Sequence, residues 1–311
     1  MLCILGPTAS GKSSLALALA RRRGDIEIIS MDSALVYRGM DIGTAKPSPS
    51  EQAEIRHHLI DLIDPVESYS AARFLSDAES AAADIRSRGK VPLLVGGTML
   101  YYKALREGLD DLPSAPTSLR DAIAEEARSI GWPTLHQQLS DIDIETASRL
   151  KPNDAQRISR ALELYRFTGK PMSQLIRESA ARMPSPLADQ LITIALMPED
   201  RSMLHDRIGQ RFHQMLAAGF LDEVRQLMQD SRLHPDLPST RCVGYRQAWD
   251  HLAGSISFDG FVEAGIAATR QLAKRQITWL RSFPHLIVQD PFTADPRAIE
   301  ELCLRQMTQS R

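Results

Sequence analysis

The sequence predicts an α/β fold, in which a parallel sheet carries helices on both faces and an all-helical domain is inserted into the chain. Three observations support this prediction. A glycine-rich loop at 6–13 lies between an apolar run and a helix-forming segment, strands and helices alternate to about residue 110, and residues 118–185 contain no convincing strand. Repeated strand–helix units favour a parallel sheet, because parallel neighbours need a crossover helix. We therefore expect a core formed by 1–117 and 186–311, with 118–185 inserted.

The composition is that of an ordinary globular protein. The chain has 311 residues, 43% of them apolar and 24% charged, with a net charge of −2, so its overall charge does not indicate a nucleic-acid binder. Its three cysteines have no C-x-x-C spacing and predict neither a zinc site nor a disulfide framework. No signal-peptide pattern and no apolar run of about 18 residues is present. We expect a cytoplasmic monomer without a membrane segment.

The glycine-rich loop predicts a phosphate site. It fits G-x-x-x-x-G-K-[ST] at every fixed position, between a strand-like run at 2–5 and a helix-like segment at 14–21. The glycines allow a tight turn, so that successive N–H groups and the helix N-terminus point at an anion. Lys12 adds a charge for the outer phosphates, and the Ser13 hydroxyl is the expected ligand of Mg²⁺. The core is therefore expected to be P-loop NTPase-like, and the loop by itself favours a bound nucleotide such as ATP. Its residues are Gly6, Pro7, Thr8, Ala9, Ser10, Gly11, Lys12 and Ser13.

Four further apolar runs, at 26–30, 57–61, 91–95 and 191–196, predict the remaining strands of the sheet. Ser70 is expected to cap the helix that precedes the third of them. The first run ends beside Asp32, and the third is followed by Gly96-Gly97-Thr98. In parallel sheets the ligand lies at the carboxyl ends of the strands. The sequence thus predicts that the loop, Asp32 and Thr98 converge on one site.

The predicted insertion is divided by charge. Residues 110–147 carry eight acidic residues against two basic ones, whereas residues 149–182 carry eight basic residues against three acidic ones. A charge run is usually a solvated helix face. Here Gln156, Arg157 and Arg160 lie on one side of a short helix, which favours contact with a polyanion.

The last third returns to the core and ends in a basic helix. Its first helix has an apolar stripe, beside which Arg207 and Arg211 share a face. The segment 241–246 is compact and begins and ends with arginine. The helix predicted at about 261–281 has no acidic residue after Glu263 and carries several basic residues around Trp279. This combination suits a phosphate backbone with bases that can stack.

Asp32 and Thr98 are the candidate reactive residues. The strand at 91–95 ends in Gly-Gly-Thr, whereas an ordinary P-loop NTPase has an Asp there that holds Mg²⁺. Asp32 is the strand-end Asp of this sequence and follows the second strand. It could hold Mg²⁺ as that Asp does, be a base that deprotonates an acceptor, or be an N-cap or turn residue. A positioned base contributes about 10²–10⁴-fold in rate. Thr98 could bind a ligand or cap a helix.

Six motifs of the sequence resemble those of one protein family. They lie at 6–12, 32–47, 96–102, 153–157, 241–247 and 269–281, in this order. The chain resembles the bacterial tRNA dimethylallyltransferases, also called tRNA isopentenyltransferases, from Leu2 to about Pro284.

The resemblance implies transfer of a dimethylallyl group from dimethylallyl diphosphate to the exocyclic amine of adenosine at tRNA position 37, in an A-A-A context beside the anticodon. The products are isopentenyladenosine and diphosphate. The P-loop then binds the donor's diphosphate rather than a nucleotide, with Mg²⁺ and with Arg207 as an extra cation. Asp32 takes a proton from the amine, and Thr98 bonds near the amine and the bridging oxygen. The target adenine has to leave its stack.

The resemblance also implies the residues that contact tRNA, and it makes 118–185 the lobe that grips the anticodon stem. These residues are Asp32, Ser33, Ala34, Leu35, Thr98, Arg120, Gln156, Arg157, Ile158, Ser159, Arg160, Arg241, Cys242, Val243, Gly244, Tyr245, Arg246, Lys274, Arg275, Gln276, Ile277, Thr278, Trp279, Leu280 and Arg281.

Two other functions are compatible with parts of the sequence. The P-loop and Asp32 alone would suit a small-molecule or nucleoside kinase, and the basic segments would suit a non-catalytic RNA-binding NTP switch. Phosphoryl transfer at a normal kinase rate would identify the kinase.

Overall fold

The computed structural model describes residues 1–110, 112–179 and 184–309. Asp111 and Arg182, which contribute to the two charge blocks, lie outside these residues. The strands are β1 (Leu2–Leu5), β2 (Ile26–Met31), β3 (His57–His58), β4 (Val91–Gly96), β5 (Ile192–Leu196) and β6 (Ile287–Gln289). The helices are α1 (Lys12–Arg23), α2 (Pro49–Glu54), α3 (Ala71–Ser87), α4 (Met99–Glu107), α5 (Thr117–Ile130), α6 (Trp132–Ile142), α7 (Ile144–Ala147), α8 (Ala155–Thr168), α9 (Met172–Glu178), α10 (Arg201–Ala217), α11 (Phe220–Leu227), α12 (Tyr245–Leu252), α13 (Phe258–Ser282) and α14 (Pro296–Gln309).

The chain forms two compact units. The first comprises residues 1–106 and 184–311, and the second comprises residues 107–183. The second unit thus begins and ends a little earlier than the predicted insertion 118–185. The elements among its described residues are helices. Their core is formed by α5, α6 and α8 through Ile123, Leu135, Leu139, Ile158 and Leu162.

The six strands form one parallel sheet in the order β3-β2-β4-β1-β5-β6, which confirms the predicted fold class. The central strand β1 pairs with β4 and β5, with Leu2 opposite Leu93 and Ile192. Alternate residues of β1 belong to different cores: Cys3 and Leu5 pack with α3 and α4, whereas Leu2 and Ile4 pack with α1. The sheet is therefore covered on both faces, as its apolar strands require.

Local signals place most helix boundaries. Gly11 precedes α1 and Gly24 follows it, both with left-handed backbone at φ 90° and 73°. The Ser70 hydroxyl accepts from the Arg73 N–H at 3.1 Å, which confirms the predicted cap of α3. Among the described residues no helix is long and apolar enough to cross a membrane.

Two predictions for the core were wrong or incomplete. The strand predicted at 57–61 ends at His58, because Leu59 and Asp61 have positive φ values of 62° and 53° and turn the chain away from β2. Beyond the last predicted helix at about 261–281, the chain also forms β6 and α14. The buried residues Ile299, Cys303 and Met307 of α14 pack against the α1 side of the sheet. Their i, i+4, i+8 spacing is the signal that could have predicted this helix.

The buried carboxylate of Glu27 in β2 is hydrogen-bonded to His58 of β3 and to Arg88, which follows α3. Glu27 is only 6% exposed, and it accepts hydrogen bonds from both terminal nitrogens of Arg88 and from His58 Nε2 at 2.7 Å. The bonds to Arg88, and then to His58, lower the pKa of Glu27 to about 2, although burial opposes the shift. The ionised carboxylate therefore stabilises the folded state.

We expect Glu27→Gln to lower the free energy of unfolding by about 2–3 kcal/mol at pH 7, because it leaves Arg88 facing a neutral amide. A carboxyl with a lowered pKa stabilises the fold above its unfolded pKa of about 4.3, and this contribution disappears as the pH falls towards the folded value. The gap between wild type and variant should thus shrink between about pH 4.5 and pH 2 in urea unfolding experiments. Glu54→Gln, which removes the exposed partner of Arg21, is the control and should cost less than about 1 kcal/mol. A gap that is the same at pH 7 and pH 3 would contradict this account.

Candidate active site

The P-loop connects β1 to α1 through two left-handed residues. Ala9 has φ 63° and Gly11 has φ 90°, a local conformation that turns consecutive N–H groups into a concave anion site. Gly6 is closely packed, since a Cβ there would lie 2.5 Å from Ser10 Oγ and 2.8 Å from the Leu196 carbonyl oxygen. Only glycine fits this position, as the motif requires.

Lys12 lies folded back over this loop. Its Nζ donates to the Pro7 carbonyl oxygen at 2.7 Å. Burial lowers the pKa of Lys12 to about 8, and the nearby Arg211 adds to that shift while the Asp32 carboxylate opposes it. Among the described residues the hydrogen-bond partner of this half-buried cation is a carbonyl oxygen, so an arriving anion can stabilise it. The loop is therefore built to receive a charged group such as a diphosphate.

Asp32 follows β2 directly and has two different oxygens. Its Oδ1 accepts from the Ala34 N–H at 2.9 Å, which fixes the turn after the strand. Its Oδ2 accepts no hydrogen bond from any described residue, and Asp32 lines a cavity. The turn role and the role as a base are thus compatible, because one oxygen orients the carboxylate and the other can take a proton.

Thr98 lies beside Asp32. Its Oγ1 accepts from the Ser33 N–H at 3.0 Å and donates to Ser33 Oγ at 3.3 Å, which joins the turn after β4 to the turn after β2. The approach is close, since a Cβ on Gly96 would lie 2.1 Å from the Met31 carbonyl oxygen. The ends of β1, β2 and β4 therefore meet at one edge of the sheet, as the sequence predicts.

These strand ends open into a cavity of about 450 Å³, a size that holds a small substrate. Its lining contains both polar and apolar residues, which we call the polar wall and the apolar wall. Burial, helped by the Asp32 charge, raises the pKa of the Cys242 thiol to about 12, so this cysteine is a neutral part of the apolar wall. The polar wall has Thr8, Ala9, Lys12, Ser13, Asp32, Ser33, Thr98 and Arg211, and the apolar wall includes Met99, Leu100, Phe212, Met215, Cys242, Val243, Leu272 and Trp279.

The structure brings Arg211, and not Arg207, into this cavity. Arg207 is exposed and its guanidinium carbon lies 5.0 Å from the centre of the Phe292 ring, outside the cavity lining. Arg211 lies one turn later on α10, lines the cavity and approaches the Thr44 carbonyl oxygen at 3.5 Å. Burial lowers the pKa of Arg211, and the Asp32 carboxylate opposes that shift. The two arginines share a helix face, and only the packing of α10 distinguishes them.

Glu223 on α11 was missed by the sequence analysis. Its carboxylate accepts from the N–H groups of Asp41, Ile42 and Gly43 at 2.7–3.2 Å and from the Tyr245 hydroxyl at 2.6 Å. These bonds hold the 41–43 loop, whose Gly43 lines the cavity, against α11 and link it to Tyr245 of α12. A lone Glu on an amphipathic helix gives no sequence signal for this role.

The basic residues of α13 are divided between two faces. Thr269, Arg275 and Trp279 line the cavity just described. Arg270 and Lys274 line a separate groove of about 350 Å³ together with Arg201 and His205 of α10. The cationic residues that the sequence places in one segment are therefore not all available to one ligand.

Several residues in the predicted tRNA-contacting segments have buried side chains and cannot present them to an RNA. Ile158 belongs to the core of the second unit, and Tyr245, Ile277 and Leu280 belong to the cores of the first. Gly244 is buried as well, with φ 93° at the start of α12. These positions hold the exposed residues of the same segments in place.

The residues predicted for tRNA contact on α5 and α8 differ in the bonds that their side chains already form within the protein. On α8, Gln156 and Arg157 are exposed, and Arg157 pairs with Asp154 at 2.6 Å. Arg160 donates to the Pro113 carbonyl oxygen at 3.1 Å, and Arg120 contacts Glu163 at 3.3 Å. Arg157 is therefore the more accessible cation, because its salt bridge is exposed and weak.

Comparison with known proteins gives consistent matches over most of the chain. The family model described as IPP transferase matches residues 35–283, and that described as isopentenyl transferase matches residues 1–65. The tRNA dimethylallyltransferase of Ralstonia pickettii is 60% identical over 297 residues, which cover 94% of this chain and 91% of that protein. The tRNA dimethylallyltransferase of Cupriavidus necator is 58% identical over 292 residues, covering 93% and 90%.

Solved structures agree with these sequence matches. The full-length tRNA isopentenylpyrophosphate transferase from Bacillus halodurans has a TM-score of 0.69 and 34% identity, covering 99% of this chain and 97% of that one. A eukaryotic dimethylallyltransferase, described as acting on tRNA, has a TM-score of 0.75 and 27% identity, covering 94% of this chain and 73% of that one.

Proposed function

Because this chain belongs to the tRNA dimethylallyltransferase family, whose members are also called IPP transferases, we propose that it transfers the dimethylallyl group of dimethylallyl diphosphate to the exocyclic amine of adenosine 37 in tRNA. One observation supports the proposal independently of the family match. The anion-binding loop, Asp32 and Thr98 line the same cavity. A leaving diphosphate and an attacking amine can therefore be held in one site.

The leaving group is held on the side of the P-loop. Thr8, Ala9, Lys12 and Ser13 of the loop line the cavity at the start of α1, and Lys12 can exchange its bond to the Pro7 carbonyl for a phosphate oxygen. Arg211 supplies a second buried cation, in the role that the family resemblance gave to Arg207. Negative charge builds up on the diphosphate as the C1–O bond breaks, so these groups stabilise the transition state more than the ground state.

The attacking amine is held on the side of Asp32 and Thr98. Its nitrogen forms the new bond to C1 of the dimethylallyl group while the C1–O bond to diphosphate breaks. The proton that the nitrogen loses goes to Asp32 Oδ2, which has no other described partner. The Thr98 hydroxyl, held by Ser33, can orient the amine or the bridging oxygen.

We propose that Mg²⁺ binds at this site only together with the diphosphate. Among residues 1–110, 112–179 and 184–309, no three His, Cys, Asp or Glu side chains lie close enough together to hold a metal ion. The exposed Ser13 hydroxyl at the start of α1 is one oxygen ligand, and Mg²⁺ commonly takes its others from substrate phosphates and water. When bound, the ion would neutralise part of the charge on the leaving diphosphate.

A kinase remains the second candidate from the sequence, and the site favours it less. The strand β4 is followed by Gly96-Gly97-Thr98 rather than by a carboxylate, and the family to which the chain belongs is named for alkyl transfer. The apolar wall beside the reacting groups suits a prenyl chain better than a second polar substrate.

A direct assay distinguishes these functions. The protein is incubated with labelled dimethylallyl diphosphate and an unmodified tRNA that has A-A-A around position 37, and the tRNA is digested and analysed for prenylated adenosine. The same tRNA with guanosine at position 37 is the matched control and should remain unlabelled. Transfer of the terminal phosphate of labelled ATP to a nucleoside, without any prenylated adenosine, would contradict the proposal.

We also propose that the exposed basic residues of α8 and α13 contact the tRNA backbone. Arg157→Ala and Lys274→Ala should each weaken tRNA binding and reduce the slope of log K against log salt concentration by about 1, because each removes about one phosphate contact. Arg128→Ala, in the acidic part of the second unit, is the control and should leave the slope unchanged. Unchanged slopes for both variants would exclude these two residues as phosphate contacts.

A further inference from the structure

Gln276 of α13 connects the two loops that form the polar wall of the cavity. Its Oε1 accepts from the Thr8 N–H at 2.9 Å, and its Nε2 donates to the Gly97 carbonyl oxygen at 2.8 Å. The orientation of this amide is fixed by chemistry, because a backbone N–H can only donate and a carbonyl oxygen can only accept. Both ends of the side chain are therefore used within the protein.

The contact joins distant parts of the chain at the reaction site. Thr8 begins the turn of the P-loop after β1, and Gly97 immediately precedes Thr98 after β4. The packing is close, since a Cβ on Gly97 would lie 2.6 Å from Gln276 Nε2. One side chain thus links the anion-binding loop to the turn that carries the Thr98 hydroxyl, at a place where Gly97 also approaches the Gly6 carbonyl oxygen.

We propose that Gln276 is a positioning residue for the transfer reaction, which holds the P-loop and the Gly96–Thr98 turn in one fixed geometry. The proposal rests on the proposed function, and it replaces the tRNA contact that the family resemblance implied for this residue. The bond between C1 and the diphosphate oxygen breaks while the amine attacks from the side of Thr98. A fixed separation of the two loops therefore keeps the reacting groups aligned.

The position of Gln276 on α13 adds a consequence for RNA binding. Its neighbour Arg275 lines the cavity, and Lys274 faces the separate groove on the other side of the helix. The helix that carries these basic residues is therefore hydrogen-bonded to both reactive loops. A movement of α13 would be transmitted to the P-loop and to the Gly96–Thr98 turn through these hydrogen bonds, and to the P-loop also through the packing of Ala9 on Ala273 and Ile277.

Two variants test the proposal. Gln276→Met keeps the size of the side chain and removes both hydrogen bonds. Gln276→Glu keeps the acceptor for the Thr8 N–H and sets a carboxylate oxygen against the Gly97 carbonyl. Gln210→Met, at an exposed position of α10 that lines neither the cavity nor the separate groove, is the matched control. Should the methionine variant fail to fold, the glutamate variant still breaks the bond to Gly97.

We expect both Gln276 variants to lower the single-turnover rate at saturating substrates by about 10–100-fold, since a misplacement of about 1 Å costs about that much. Affinity for tRNA should change less than about twofold. A fall in rate without a fall in tRNA affinity would not result from a general loss of structure. Affinity for inorganic diphosphate, measured by calorimetry, should fall about tenfold in Gln276→Met, because the P-loop loses its anchor at Thr8, and should fall less in Gln276→Glu, which keeps that acceptor.

Two results would overturn the proposal. If tRNA affinity falls at least tenfold while the single-turnover rate at saturation stays the same, Gln276 is an RNA contact. If rate, tRNA affinity and diphosphate affinity all match the Gln210 control, the two hydrogen bonds do not position the site. Diphosphate binding does not depend on the prenyl chemistry, so the positioning role can fail or hold independently of the proposed function, which the wild-type assay tests.

Discussion

Replacement of Asp32 by asparagine is expected to lower the rate of prenyl transfer by about 10²–10⁴-fold, the usual contribution of a positioned general base. The asparagine oxygen can still accept from the Ala34 N–H, so the turn after β2 should persist. What disappears is the second carboxylate oxygen, which is the atom available to take the proton from the attacking amine. Affinity for tRNA should therefore remain nearly unchanged.

The measurement is the single-turnover rate, together with a filter-binding titration of unmodified tRNA. Asp206→Asn, an exposed carboxylate on α10, is the matched control and should react at the wild-type rate. Loss of tRNA binding without loss of the rate at saturation would show that Asp32 acts in recognition, as the RNA-binding switch would require.

Arg211→Ala should have the second large effect, a loss of about 10²–10³-fold in kcat, because it removes a buried cation that faces the leaving diphosphate. Arg207→Ala should change kcat by less than about threefold, since its guanidinium lies against Phe292 outside the cavity. Both changes remove a guanidinium group from α10. The difference between their effects on kcat therefore reports where the group lies and not merely that a charge was lost.

The assay for this pair is steady-state kinetics with dimethylallyl diphosphate, in which diphosphate release is measured beside product formation. Arg211→Lys should recover part of the activity, because a point charge replaces the guanidinium without its planar geometry. The opposite order, with Arg207→Ala inactive and Arg211→Ala active, would refute the assignment drawn from the structure.

The sequence by itself determined the parts of this protein that depend on short-range patterns. The P-loop fits one continuous motif, and the residues that follow β2 and β4 are the ones that any parallel sheet brings to the same edge. The convergence of the loop with Asp32 and Thr98 could therefore be predicted, because it requires only the period of the strands and their parallel direction.

Only the tertiary structure decided which side chains complete the site. Arg207 and Arg211 are equivalent by helical spacing, and the packing of α10 brings Arg211 into the cavity. Gln276 and Glu223 act through hydrogen bonds to backbone groups 268 and about 180 residues away along the chain. Such contacts leave no local pattern, because a backbone N–H or carbonyl group is the same at every position. The strand order and the packing of α14 on α1 depend likewise on which apolar faces meet, and that is determined by the folded chain as a whole.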